Sequence, residues 1–291
     1  MLIVYIFCEI DDFCKFLVTT DLKKLIQPRM QRIRKRRLTL SEILSIQVFF
    51  HYSGAKNFKD FYTKTHTDFL KSNFPQLVSY TRFLELKNEA TFFMALFAKY
   101  KNQNKSTGVS YIDSTALKVS HVKRSGSHKT FKNFAKKGMT SMGWFYGFKL
   151  HVVINHKGEI LDFEITAGNV SDGNKDLIDR LTNNVKGVLV ADKGYIGRAK
   201  DLLKKGIKLL HKPRSNMKKV PIDPIEAALL KSRALIESVF GVLKNTFSLE
   251  HSRHRSILGG IIHIASTLAA YALKPSKPSI KRSDPIMSLI A

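Results

Sequence analysis

Acid is scarce in this sequence beside base. Its 291 residues hold 23 Asp and Glu against 49 Lys and Arg, a formal net charge of +26. A field of that sign attracts polyanions, and nucleic acid is the commonest polyanionic partner. A basic ribosomal or membrane-surface protein would share the charge, so it gives a class of partner and no chemistry. Cysteine is nearly absent as well. Cys8 and Cys14 are the only two, and neither their number nor their spacing supports a disulfide framework or a zinc site. They read as ordinary buried thiols in a reducing cytoplasm. Long apolar runs are missing too. The opening MLIVYIF lacks a basic flank and is followed by Glu9, Asp11 and Asp12, and it resembles neither a signal peptide nor a membrane span. The expectation is a soluble cytoplasmic protein with no membrane partner.

What is present divides by pattern. Hydrophobic residues make up 44% of the chain, enough for one large domain or two ordinary ones. No internal repeat is found. Before the polar stretch KNQNKSTG at 101–108 the pattern is helical. In LTLSEILSIQVFF, Thr39 and Glu42 form a capping box ahead of apolar residues at helical spacing. Gly54 ends that helix, the period resumes through Phe58, Phe61, Tyr62, Phe69 and Leu70, and another helix begins near Ser79. The dense basic run RMQRIRKRR at 29–37 suits either a solvated helix end or DNA contact, and a helix-turn-helix arrangement is one possible reading.

After the linker the pattern becomes mixed. GVSYIDSTALKV has the residues of a strand ending at Asp113, and FKLHVVIN and EILDFEIT are separated by the turn HKG. A short helix follows, capped by Asp172. GVLVADKGY is a strand ending at Asp192, then come a helix, the strand IKLLHK and a last helix. This is the order of an α/β domain. Between the first two strands lies a long insertion, residues 120–144, that contains no acid. It carries Lys123, Arg124, Lys129, Lys132, Lys136 and Lys137 among Phe131, Phe134 and Trp144. Bases among aromatics suit gripping phosphates and stacking on exposed bases. A mobile solvated loop is the competing reading, and for Trp144 so is core packing beside Phe145 and Tyr146.

RALIESVFGVLKNTF at 233–247 reads as one helix. At about 100° per residue, Arg233, Glu237 and Lys244 fall within roughly 40° of one another, beside an apolar face. Taken alone, that stripe is a solvated ion pair. Asp113 and Asp192, however, each end an apolar strand, where open α/β sheets bind ligands. With Glu237 they could bring three carboxylates to one sheet edge. Such charges need cations, and hard oxygen donors select Mg²⁺ or Mn²⁺.

The motifs YIDST, ADKGY and RALIESVFGVLK, with IFCEIDDFCK and SYTRFLEL upstream, resemble the DDE-type transposases of bacterial insertion sequences. The closest group by these motifs is the insertion-sequence family numbered nine hundred and eighty-two. The resemblance implies an RNase H-like mixed sheet with flanking helices over 106–272, preceded by an all-helical DNA-binding region at 1–105. The tail 273–291 reads as disordered. It implies that Asp113, Asp192 and Glu237 form the catalytic triad and bind two Mg²⁺ or Mn²⁺ ions, with Arg233 and Lys244 on phosphates. It further implies cleavage of the element's ends and strand transfer into target DNA, by a homodimer or larger assembly on double-stranded DNA. A nuclease of the same fold, or a non-catalytic DNA-binding descendant, are the alternatives. One position departs from related groups: Leu230 stands where they place a Tyr.

Overall fold

Strand β1 (Val109–Ser120) organises the second half of the chain. It lies antiparallel to β3 (Gly143–Asn155) and parallel to β5 (Gly187–Ala191). β5 in turn pairs in parallel with β6 (Ile207–His211). The other edge of β3 is shared: β4 (Ile160–Ala167) pairs with it from Phe148 onward, and β2 (Lys136–Thr140) pairs with it over Gly143–Gly147. The result is a six-stranded mixed sheet with flanking helices, an α/β architecture. One face packs helices Lys175–Leu181 and Ala199–Lys204 around Ile112, Val153, Leu161, Leu189 and Ile207.

The computed structural model describes residues 1–20, 37–212, 223–250 and 254–280. Most of the basic run at 29–37 lies outside them, as does the tail beyond residue 280. The described residues fall into two compact units. One holds Met1–Tyr100, Thr246–Ser248 and Ile257–Leu273; the other begins at Lys101 and holds the sheet. The first unit is helical. Its helix Leu40–Tyr52 starts with the Thr39–Glu42 capping box, made from both sides, and stops short of Gly54, whose φ is +70°. The buried His51 ties this helix to Phe247 O at 2.8 Å and to Ser266 Oγ at 2.8 Å. Burial lowers its pKa to about 4, so the ring is neutral at pH 7. No described helix is long and apolar enough to cross a membrane.

Four expectations are corrected. β1 does not end at Asp113 but runs seven residues further, to Ser120, because its pairing with β3 continues to Ser120↔Tyr146. The insertion is not simply a loop, since β2 and the start of β3 lie inside it. The stretch 233–247 is not one helix. Arg233 sits between helices Pro224–Ser232 and Ala234–Gly241, and a π-helical turn, Val242–Thr246, follows. The thiols are not buried: Cys8 is exposed and Cys14 half-buried, both free.

Candidate active site

The parallel register of β1 and β5 pairs Val109 with Val188 and Ile112 with Ala191. Asp113 and Asp192 each follow directly on the last pair of this register. Strand alternation points Asp113 to the same face as Tyr111. Tyr111 hydrogen-bonds Ser232 Oγ at 2.7 Å, fixing the junction between the last two helices of this unit against that face. Arg233 follows directly. Its Nη1 donates to Asp113 Oδ2 at 2.9 Å and its Nη2 to Glu237 Oε1 at 2.7 Å. One guanidinium therefore links the first and third carboxylates foreseen from sequence.

Asp113 is held in an environment that disfavours its charge. Burial pushes its pKa up to about 6, with Asp192 and Asp172 adding to the rise; the Ser114 N–H bond and Arg233 oppose it. Lys244 does not join the pair. The wider turn at 242–246 carries its Nζ to Ala116 O and to Glu250 Oε2, each at 3.1 Å. It braces β1 three residues past Asp113.

The opposite face of the sheet holds a polar cluster that sequence reasoning missed. Asp172 does not cap the helix after it; Asn174 does, accepting from Leu177 N at 3.0 Å. Freed from capping, Asp172 Oδ1 accepts from Ser114 Oγ at 2.8 Å and from Lys149 Nζ at 3.2 Å. His151 Nδ1 lies 3.7 Å from the same oxygen, too far for a hydrogen bond. Burial holds the His151 pKa down, while its Nε2 meets Thr166 Oγ1 at 2.9 Å. The Tyr195 hydroxyl is buried with no hydrogen-bond partner among the described residues. Burial, then Asp172, Asp113 and Asp192, hold its pKa well above the usual value. Asn174, an equally good cap residue two positions on, is the signal in the sequence that could have marked Asp172 as spare.

Lys123, Arg124, Lys129, Lys132, Lys136 and Lys137 are all exposed. Ser120, His121, Arg124, Ser127, His128 and Lys129 line an open hollow of about 590 Å³. Trp144 does not pack into the core beside its neighbours. It is 63% exposed, whereas Phe145 and Tyr146 are buried.

Carboxylate oxygens are the hard donors that Mg²⁺ and Mn²⁺ prefer, so the side chains around Asp113 fit such an ion in kind. Among the described residues no three His, Cys, Asp or Glu converge closely enough to hold one. The Arg233 guanidinium supplies the positive charge between Asp113 and Glu237. No curated protein matches the chain. The family model described as the transposase DDE domain matches residues 103–257, from the linker through both aspartate strands to Glu237 and beyond. That is more than half of the sequence, and the chain belongs to the transposase DDE domain family.

Proposed function

We propose that this transposase cuts DNA at the ends of an insertion sequence, of the family numbered nine hundred and eighty-two, and joins the freed 3′-hydroxyl to target DNA. On this reading the sheet unit is RNase H-like, and the helical residues within 1–105 recognise the element's ends. Two ends must be held together, so the working assembly is a dimer or larger. The observation that carries the reading is the parallel register of β1 and β5, whose last pair, Ile112 and Ala191, immediately precedes Asp113 and Asp192, with Glu237 linked to Asp113 through Arg233.

Asp113, Asp192 and Glu237 would hold Mg²⁺ or Mn²⁺, which when bound stabilises charge on the oxygens of an in-line phosphodiester displacement. The chain's own groups do the positioning. Arg233 has two charge-assisted bonds to exchange for a phosphate oxygen, a ligand its planar fork suits. Lys244 anchors β1 beside the acid it carries, and Asp113 must lose its proton to act as a carboxylate.

The test is substitution. Asp113→Asn, Asp192→Asn and Glu237→Gln should each abolish Mg²⁺-dependent cleavage while far-ultraviolet circular dichroism and DNA affinity stay near wild type. Normal cleavage by any one of the three removes that residue from the triad. A precleaved end supplied to the wild-type protein separates strand transfer from hydrolysis alone: joined product is expected, and its absence favours a simple nuclease.

A further inference from the structure

The β2–β3 hairpin leaves the sheet as a bare two-stranded ribbon. Pairing between β1 and β3 stops at Ser120↔Tyr146, but β2 and β3 continue to Thr140↔Gly143. Across that tip Met139 faces Trp144, each 63% exposed, and Met142 in the turn is 92% exposed. Single exposed apolar residues are ordinary on protein surfaces. Three large ones gathered at a protruding tip are a contact surface.

The surrounding charge selects the partner. Strand alternation puts Lys137 on the face of Met139 and Trp144, and Lys136 lies on the other face. Residues 120–144 contain no acid at all. A hydrophobic protein partner would not need so many cations, and a polyanion with flat apolar faces needs both features. Nucleic acid bases between phosphates meet that description. Large apolar side chains can also wedge between base steps and unstack them.

We propose that the ribbon tip inserts Trp144 and Met139 at an unstacked step of duplex DNA, while Lys136 and Lys137 hold the flanking phosphates. This rests on the DNA-processing reading above but not on its chemistry. β1 runs seven residues past Asp113, roughly 23 Å, the rise of about seven base pairs. The step that the tip opens is therefore distinct from the phosphodiester that is cut.

Trp144 is the only tryptophan in the chain, so its own emission reports the contact. The full-length protein would be titrated with a duplex of arbitrary sequence and with the same duplex carrying one central mismatch. Anisotropy of a label on the DNA follows total binding independently. The mismatched duplex is expected to bind more tightly, to quench the emission and to shield Trp144 from acrylamide. Trp144→Ala should weaken its binding roughly tenfold, removing the preference over the paired duplex. Lys136→Ala with Lys137→Ala should flatten the slope of log affinity against log salt by about 2. Emission and acrylamide access unchanged by DNA that anisotropy shows to be bound would overturn the ribbon's role and leave the catalytic reading standing. Quenching by anionic phospholipid vesicles and not by DNA would overturn it equally.

Discussion

Arg233 holds Asp113 through a 2.9 Å bond between Nη1 and Oδ2, from a helix junction 120 residues away in sequence. Its other arm holds Glu237, so an internal cation competes for two of the three acids that a divalent ion would need. Replacing it should therefore separate ion binding from catalysis. Above pH 7 and without DNA, Arg233→Gln should bind Mn²⁺ more tightly, roughly tenfold given the usual effect of one nearby charge on a carboxylate. Cleavage should fall at the same time, because the phosphate loses its forked donor. Electron paramagnetic resonance of free Mn²⁺ measures the first and a cleavage assay the second. Weaker Mn²⁺ binding in the variant would show that Arg233 orients the acids more than it competes for them.

The raised pKa of Asp113 has a stability consequence with a definite sign. The folded state holds this proton up to about pH 6, against about 3.8 for an ordinary aspartate. Stability from this group is therefore fully present below about 3.8 and is lost as pH rises through about 6. A rise from about 3.8 to about 6 corresponds to about 3 kcal/mol. Urea unfolding across that window should show wild-type stability falling by about that amount relative to Asp113→Asn, which has no proton to lose. Parallel pH profiles for the two proteins would mean that Asp113 titrates normally.

The sequence was most legible where one face of an element decided its pattern. The capping box at Thr39, the β3–β4 turn and the strands preceding Asp192 and at Ile207 are all found where local signals placed them. The motifs singled out Asp113 and Glu237, and the four-residue spacing foreshadowed only one arm of the Arg233 link between them. Legibility failed where pairing partners decide. Nothing local says that β1 continues past Asp113, because that extension exists only by pairing with β3. Helical spacing likewise cannot foresee the wide turn that takes Lys244 away to Ala116 and Glu250. Asp172 was missed because its partners, Ser114 and Lys149, are 58 and 23 residues distant.

That missed carboxylate is a stability element in its own right. Lys149 is buried, and its Nζ is satisfied by Asp172 Oδ1 at 3.2 Å and Val170 O at 3.0 Å. Asp172→Asn keeps the shape but leaves a buried cation without its counter-charge, which costs about 3 kcal/mol, the lower end for a broken buried pair because Asp172 is part-exposed. Adding Lys149→Met should restore most of the loss. Chemical denaturation of the two single variants and the double variant measures the coupling. Losses that simply add would mean that the two side chains do not depend on each other.

The ribbon, too, has a hinge point that can be tested without touching any charged residue. β2 and the end of β4 share one edge of β3, and they meet where glycines stand. A Cβ at Gly138 would fall 2.1 Å from Gly168 O and 2.7 Å from a ring carbon of Phe145, and one at Gly168 would fall 2.6 Å from Lys136 O. Two of these three neighbours are backbone oxygens that cannot rotate away, so the strand itself must shift. Gly138→Ala should therefore unseat β2 from the seam, at about the 1–3 kcal/mol typical of overpacking. The core around Ile112, Leu189 and Ile207 is untouched, so the loss should be local. Hydrogen exchange should quicken at Lys136–Thr140 while β1 and β5 amides stay protected, and Mn²⁺ affinity at the acids should not change. DNA affinity should fall with a flatter salt slope, because Lys136 and Lys137 are carried by the displaced strand. If protection in β2 survives the substitution, the glycine seam is not what seats the ribbon.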